Sequence, residues 1–114
     1  MNTVIKDNYF IRDVKIEKLF KYAAEQIEGY KYYPEDADRY ERLMFDFKTY
    51  SARVWNEHGH VYGKMFIPGE NNEWAELTNM TVGNFLATIT KLREDVIHYR
   101  ENKLLKEIEK DFND

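Results

Sequence analysis

TVGNFLATITKLREDVIHYRENKLLKEIEKDF, residues 81–112, decides how the rest of the chain is read. It holds no proline, and its one glycine, Gly83, falls where a helix would begin. Val82, Phe85, Ile89, Leu92, Val96 and Tyr99 recur in steps of three and four, a heptad-like seam that Leu86 and Ile97 widen. The stripe breaks at Arg100, Glu101, Asn102 and Lys103, then resumes on a shifted face with Leu104, Leu105, Ile108 and Phe112. About 30 residues rising ~1.5 Å each make a rod of roughly 45 Å. A compact domain of this size has a radius of gyration of only about 13 Å. The proximal half is expected to cover the protein's own core. The distal half, with Ile97, Leu104, Leu105, Ile108 and Phe112, is the candidate oligomer contact, and a homodimer or higher homo-oligomer is expected.

Upstream of the rod the period changes. Leu43, Phe45, Phe47 and Thr49 alternate with Met44, Asp46, Lys48 and Tyr50, and Val54 and Trp55 add residues that favour strands. Asn56, Glu57, His58, Gly59 and His60 have turn chemistry, and residues 61–67 alternate again. Pro68, Gly69, Glu70, Asn71 and Asn72 make a second turn before a short strand at 73–77. Two consecutive hairpins predict a three-stranded antiparallel meander. Thr78, Asn79, Met80 and Thr81 supply capping candidates for the terminal helix.

Near the start, residues 4–10 read as a short strand or an arm. Ile16, Leu19, Phe20, Ala23 and Ile27 predict a helix over 14–28, capped by Asp13 and ended by Gly29. Tyr30, Lys31, Tyr32 and Tyr33 read as a connector. Pro34, Glu35 and Asp36 predict a second short helix to about Arg42. The expected fold is α+β, one domain, with the meander packed by an N-terminal helix and the long C-terminal helix.

Composition narrows the function. With 114 residues and 43% hydrophobic content, the chain suits one modest core. A net charge of −4 disfavours a long nucleic acid, whose binders draw affinity from Lys and Arg on phosphate. No cysteine is present, which excludes disulfides, thiolate metal sites and a cysteine nucleophile. Residues 1–7 lack the apolar core of a signal peptide, and no apolar run reaches membrane length, so a cytoplasmic protein is expected. Serine chemistry has only Ser51, and no phosphate loop occurs. His58 and His60 flank Gly59 in a turn, a weak metal pattern without a helical histidine pair, so no metal and no cofactor is expected.

Aromatic residues reach 16% of the chain. Alternation leaves Tyr50, Tyr62 and Phe66 for the sheet face away from the core, and Arg53 stands beside Trp55. These five are the candidate site for a nucleotide-like ligand, held by stacking and by a fork of hydrogen bonds. Between residues 57 and 90 the acids Glu57, Glu70, Glu73 and Glu76 oppose one base, Lys64, for a net of −3, so a long strand is disfavoured there too. Tyr32, Tyr33, Glu70, Glu73 and Glu76 are the candidate surface for a protein partner, tyrosine bringing contact area and acids speeding encounter with a basic surface. The first expectation is therefore a non-enzymatic, acidic binding protein acting by protein–protein contact. Its size and character are those of phage and mobile-element inhibitors of host defence, anti-CRISPR proteins among them. This is an analogy of type without a shared motif. The alternative is a protein that sequesters a small nucleotide-like ligand.

Overall fold

The computed structural model describes residues 5–47 and 49–112, with Phe112 described by its backbone only. The elements run α1 (Ile16–Gln26), β1 (Tyr30–Tyr33), β2 (Arg42–Phe47), β3 (Tyr50–Glu57), β4 (His60–Phe66), β5 (Trp74–Glu76) and α2 (Val82–Phe112), with a 3₁₀ turn at Ile11–Asp13 before them. The fold is α+β. The five strands form one antiparallel sheet in the order β1-β2-β3-β4-β5.

The meander has five strands where three were expected. The stretch read as one strand reverses between Phe47 and Tyr50, which pair with each other. Lys48 lies outside the described residues. No glycine or proline marks this reversal. The tyrosine connector is the strand β1, paired with β2 from Tyr30 opposite Phe45 to Tyr33 opposite Arg42. The short helix expected at 34–42 is absent. Asp36 instead turns its side chain on the local backbone, and its Oδ1 accepts from the amides of Asp38 and Arg39 at 3.0 and 2.9 Å. An acid that bonds its own backbone in this way competes with helix formation.

Both helices lie on one face, α1 over β1 and β2, α2 over β3 and β4. The core between the layers gathers Leu19, Phe20, Leu43, Phe45, Val54, Val61, Leu77, Phe85, Ile89 and Val96, all buried. Phe20 of α1 and Phe85 of α2 stack with ring centres 6.3 Å apart, joining the two helices above the sheet. The seam expected on α2 faces inward as its spacing requires: Val82, Phe85, Ile89 and Val96 are buried, and Leu92 packs at the core's edge.

Local chemistry sets the ends. Asp13 does not cap α1; it sits in the 3₁₀ turn, and Lys15 holds the cap position without a side-chain bond. Gly29 takes φ +97° in the turn into β1, a left-handed conformation that suits glycine. His58 and Gly59 have φ of 54° and 85°, the two positive values of a tight primed hairpin turn between β3 and β4. Thr81 caps α2 by accepting from the Asn84 amide at 3.2 Å. The segment before the 3₁₀ turn is the arm rather than the strand. The amides of Val82 and Gly83 donate to the carbonyls of Tyr9 and Asp7 at 2.7 and 2.9 Å. Val4 lies outside the described residues.

The helix α2 has 31 residues, about 46 Å of rod. The molecule measures 60 × 29 × 23 Å, with a radius of gyration of 16.0 Å. Residues 101–111 are exposed throughout. The rod stands beyond the globule.

Candidate functional site on the open sheet face

Both helices cover one face of the sheet, so among the described residues no helix or strand packs on the other, and register decides what it carries. Tyr33, Arg42, Trp55, Tyr62 and Glu76 form one cross-strand row. Lys31, Met44, Arg53, Lys64 and Trp74 form the next. Asp46, Ser51 and Phe66 form a third, and Glu57 opposite His60 closes the far end. The central rows bring two arginines and two lysines together with four large aromatic rings.

The rings touch one another. Trp55 and Tyr62 stack at 5.5 Å between centres, and Trp74 meets Tyr62 edge-on at 5.1 Å. Trp74 is 61% exposed and Phe66 44%, so both present ring faces to solvent. The guanidinium of Arg53 lies 5.3 Å from the centre of the Trp55 ring, and that of Arg42 lies 4.9 Å from the Tyr33 ring. Lys64 stands 5.8 Å from the Phe66 ring.

The charges on this face are unevenly matched. Arg42 is 7% exposed. It has a 3.4 Å bond from Nη1 to the Tyr40 carbonyl and a distant carboxylate, Asp36 at 3.9 Å. Among the described residues Arg53 forms no ion pair. The buried Nε atoms of both arginines lack a hydrogen-bond partner. Burial, then the nearby charges of Arg42 and Arg39, pull the Arg53 guanidinium below its ordinary pKa. A half-buried cation next to like charges is poised for an anion, because an anion relieves both penalties at once.

Acids stand at the rim. His60 Nδ1 and Glu76 Oε1 are 2.8 Å apart, and this bond lowers the Glu76 carboxyl below its usual value. Asp46 and Glu57 sit at opposite ends of the face. Hollows open on it. One of about 250 Å³ is walled by Trp55, Glu57, Tyr62 and Trp74. A second, of about 380 Å³, is walled by Met44, Asp46, Ser51, Arg53, Lys64 and Phe66.

Of the expected ligand residues, Arg53, Trp55, Tyr62 and Phe66 share this face. Tyr50 does not. Its place in β3 matches Ala52 and Val54, so it turns to the helices, where it meets Tyr99 at 5.6 Å and accepts from Lys103 Nζ at 2.7 Å. The misplacement follows from the unmarked reversal after Phe47, which resets the parity of the alternation. Arg42, Lys64 and Trp74 join the site without having been singled out. Their signal is visible only after register is known.

The expected partner residues are spread apart. Tyr32 faces the core side and donates to Glu41 at 2.7 Å, and burial, then Glu41, raises its pKa. Tyr33 lies under Arg42 on the open face. Glu70 accepts from Tyr99 at 3.2 Å, Glu73 is exposed before β5, and Glu76 pairs with His60. On α2, Ile97 packs at the core's edge, whereas Leu104, Leu105 and Ile108 are exposed.

Among the described residues no cluster of three or more histidine or acidic side chains could hold a metal ion, and no helix is long and apolar enough to cross a membrane. Comparison with protein-family models, with curated proteins and with solved structures finds no match for this chain.

Proposed function

We propose that this protein is a non-enzymatic binding protein whose working surface is the open sheet face, and that it captures a small nucleotide-like ligand. The observation that carries the reading is Arg53, a half-buried guanidinium without an ion pair among the described residues, stacked beside Trp55 and set among further cations. Phosphate suits the guanidinium fork, and a base suits the adjoining rings, where stacking contributes roughly 1–3 kcal/mol per base. Capture without chemistry fits a role in sequestering the ligand.

Thermal denaturation with a nucleotide panel tests this. A ligand that binds only the folded state at about 100 times its Kd stabilises it by about 2.7 kcal/mol. For a domain of this size that is a rise of roughly 10 °C. Trp55→Ala and Arg53→Ala are expected to abolish the rise. A panel that leaves the wild-type melting temperature unmoved overturns the reading.

A second reading rests on a different observation. Leu104, Leu105 and Ile108 are exposed on a rod that extends beyond the globule. An apolar stripe on a standing helix favours a protein partner or a second copy, as in an inhibitor of a host defence protein acting by contact. The two readings use different ends of the molecule and are separable by mutation.

A further inference from the structure

Arg53 and Lys64 wall the second hollow on the side of the Trp55–Tyr62 row, which walls the first. Tyr62, Lys64 and Phe66 follow one another on the same face of β4, and Arg53 pairs with Lys64 in register. Four residues of strand put Tyr62 and Phe66 about 13 Å apart, with the cations midway. The order along the face is ring, cation pair, ring.

Building on the nucleotide reading above, we infer that the ligand is a free dinucleotide, with one base in each hollow and the linking phosphate on Arg53 and Lys64. A mononucleotide fills one hollow and leaves the other cluster bare. A dinucleotide places its negative charge where the face is most positive and its planar groups where the rings are. The rim favours a short ligand over a strand. Asp46 walls the far side of one hollow and Glu57 that of the other, so a phosphate chain continuing along the strands in either direction meets a carboxylate. The same acids suit the base edges, since Asp46 and Glu57 wall the two hollows and accept from amino or ring N–H groups.

The chain's two tryptophans, Trp55 and Trp74, both wall the first hollow and neighbour Arg53 and Lys64, so intrinsic tryptophan fluorescence reports on ligand at this face. Titrations with adenosine monophosphate, guanosine monophosphate, linear and cyclic diadenylate, and a ten-residue oligoadenylate test the inference. Linking two weakly bound halves raises avidity by about 10²–10⁴. At least one diadenylate is therefore expected to quench at a concentration about 100-fold below either monophosphate. Phe66→Ala, at an exposed position, is expected to remove that advantage, bringing the diadenylates to the concentration range of the monophosphates. Monophosphates that bind as tightly as both diadenylates overturn the dinucleotide inference and leave the nucleotide reading standing. An oligoadenylate that binds beyond the roughly tenfold gain from its overlapping registers overturns it in favour of a single strand. Absence of any quench and any thermal shift across the panel removes both.

Discussion

The Tyr30 hydroxyl donates a 2.8 Å hydrogen bond to the carbonyl of Ile89, across 59 residues of chain, and ties the edge strand β1 to the proximal third of α2. One turn further along, Arg93 Nε donates to the Glu28 carbonyl at 2.7 Å, and its guanidinium lies 5.5 Å from the Phe45 ring. Arg100 continues the pattern 3.7 Å from the Phe47 ring, and Lys103 reaches Tyr50. A strip of cations on α2 thus rides over the aromatic edge of β2 and β3, which fixes the rod against the sheet up to Lys103.

Tyr30→Phe keeps the ring and removes only the bond to Ile89. A net cost of about 1 kcal/mol is expected, read as a lower urea midpoint at unchanged slope. The same group predicts alkaline lability. Burial raises the Tyr30 pKa in the folded state, opposed by Arg93. In the unfolded chain tyrosine ionises near pH 10. The contribution is therefore complete below about pH 10 and is lost as pH rises toward the higher folded value. Stability measured by urea at pH 9 and above pH 10 is expected to fall more steeply in the wild type than in Tyr30→Phe.

Two glycines with positive φ separate backbone strain from packing. A Cβ on Gly29 would collide with the Phe45 ring, in addition to the strain of φ +97°. A Cβ on Gly59 would meet nothing within 4 Å. Gly59→Ala is expected to cost about 1 kcal/mol, from the left-handed conformation alone. Gly29→Ala is expected to cost about 2–4 kcal/mol, because Phe45 is buried and cannot withdraw freely. Chemical denaturation of both variants checks the order; equal losses would mean that the Phe45 contact relaxes without cost.

The terminal helix was legible because its seam persists over Val82, Phe85, Ile89 and Val96, and a spacing of three and four has no other simple reading. The strand count was not legible. The reversal between Phe47 and Tyr50 carries no glycine or proline, and the run of Tyr30, Tyr32 and Tyr33 hides a core-facing alternation among similar side chains. The same gap obscured the site. Read along the chain, residues 57–90 are net acidic, but Glu70 and Glu73 fall in the loop before β5. Arg42, Arg53 and Lys64, distant in sequence, meet on one face only once β2, β3 and β4 are in register. Charge counted by segment misses charge gathered by pairing.

The distal rod gives a prediction about association. Leu104 and Leu105 are each 56% exposed and Ile108 42%, with no core beneath them. The double variant Leu105→Glu, Ile108→Glu is expected to leave the helical circular dichroism unchanged, since glutamate is a good helix former. It is also expected to lower the mass seen by light scattering toward that of one chain. Truncation after Tyr99 is expected to do the same. A wild type already at monomer mass, or an oligomer that survives both changes, would assign the stripe to a different partner or to none.

Arg53 sets stability against binding. Its stem is packed in the sheet face, while its Nε is buried without a partner and its charge sits near Arg42 and Arg39. Methionine matches the stem and removes the unpaired donor and the repulsion. An unsatisfied buried donor costs about 1–3 kcal/mol, and the partial exposure of the guanidinium reduces that through solvent screening. Arg53→Met is therefore expected to raise stability in the absence of ligand by a few tenths to about 1 kcal/mol, and to eliminate the thermal shift with nucleotides. Arg53→Lys keeps the charge but loses the planar fork, and is expected to retain only a weakened shift. A gain in stability on removing Arg53 is the outcome expected under the proposed function, in which the compensating anion would arrive with the ligand. If Arg53→Met destabilises the protein by more than about 1 kcal/mol, the guanidinium belongs to the architecture of the sheet, and the anion site must be sought in Arg42 and Lys64.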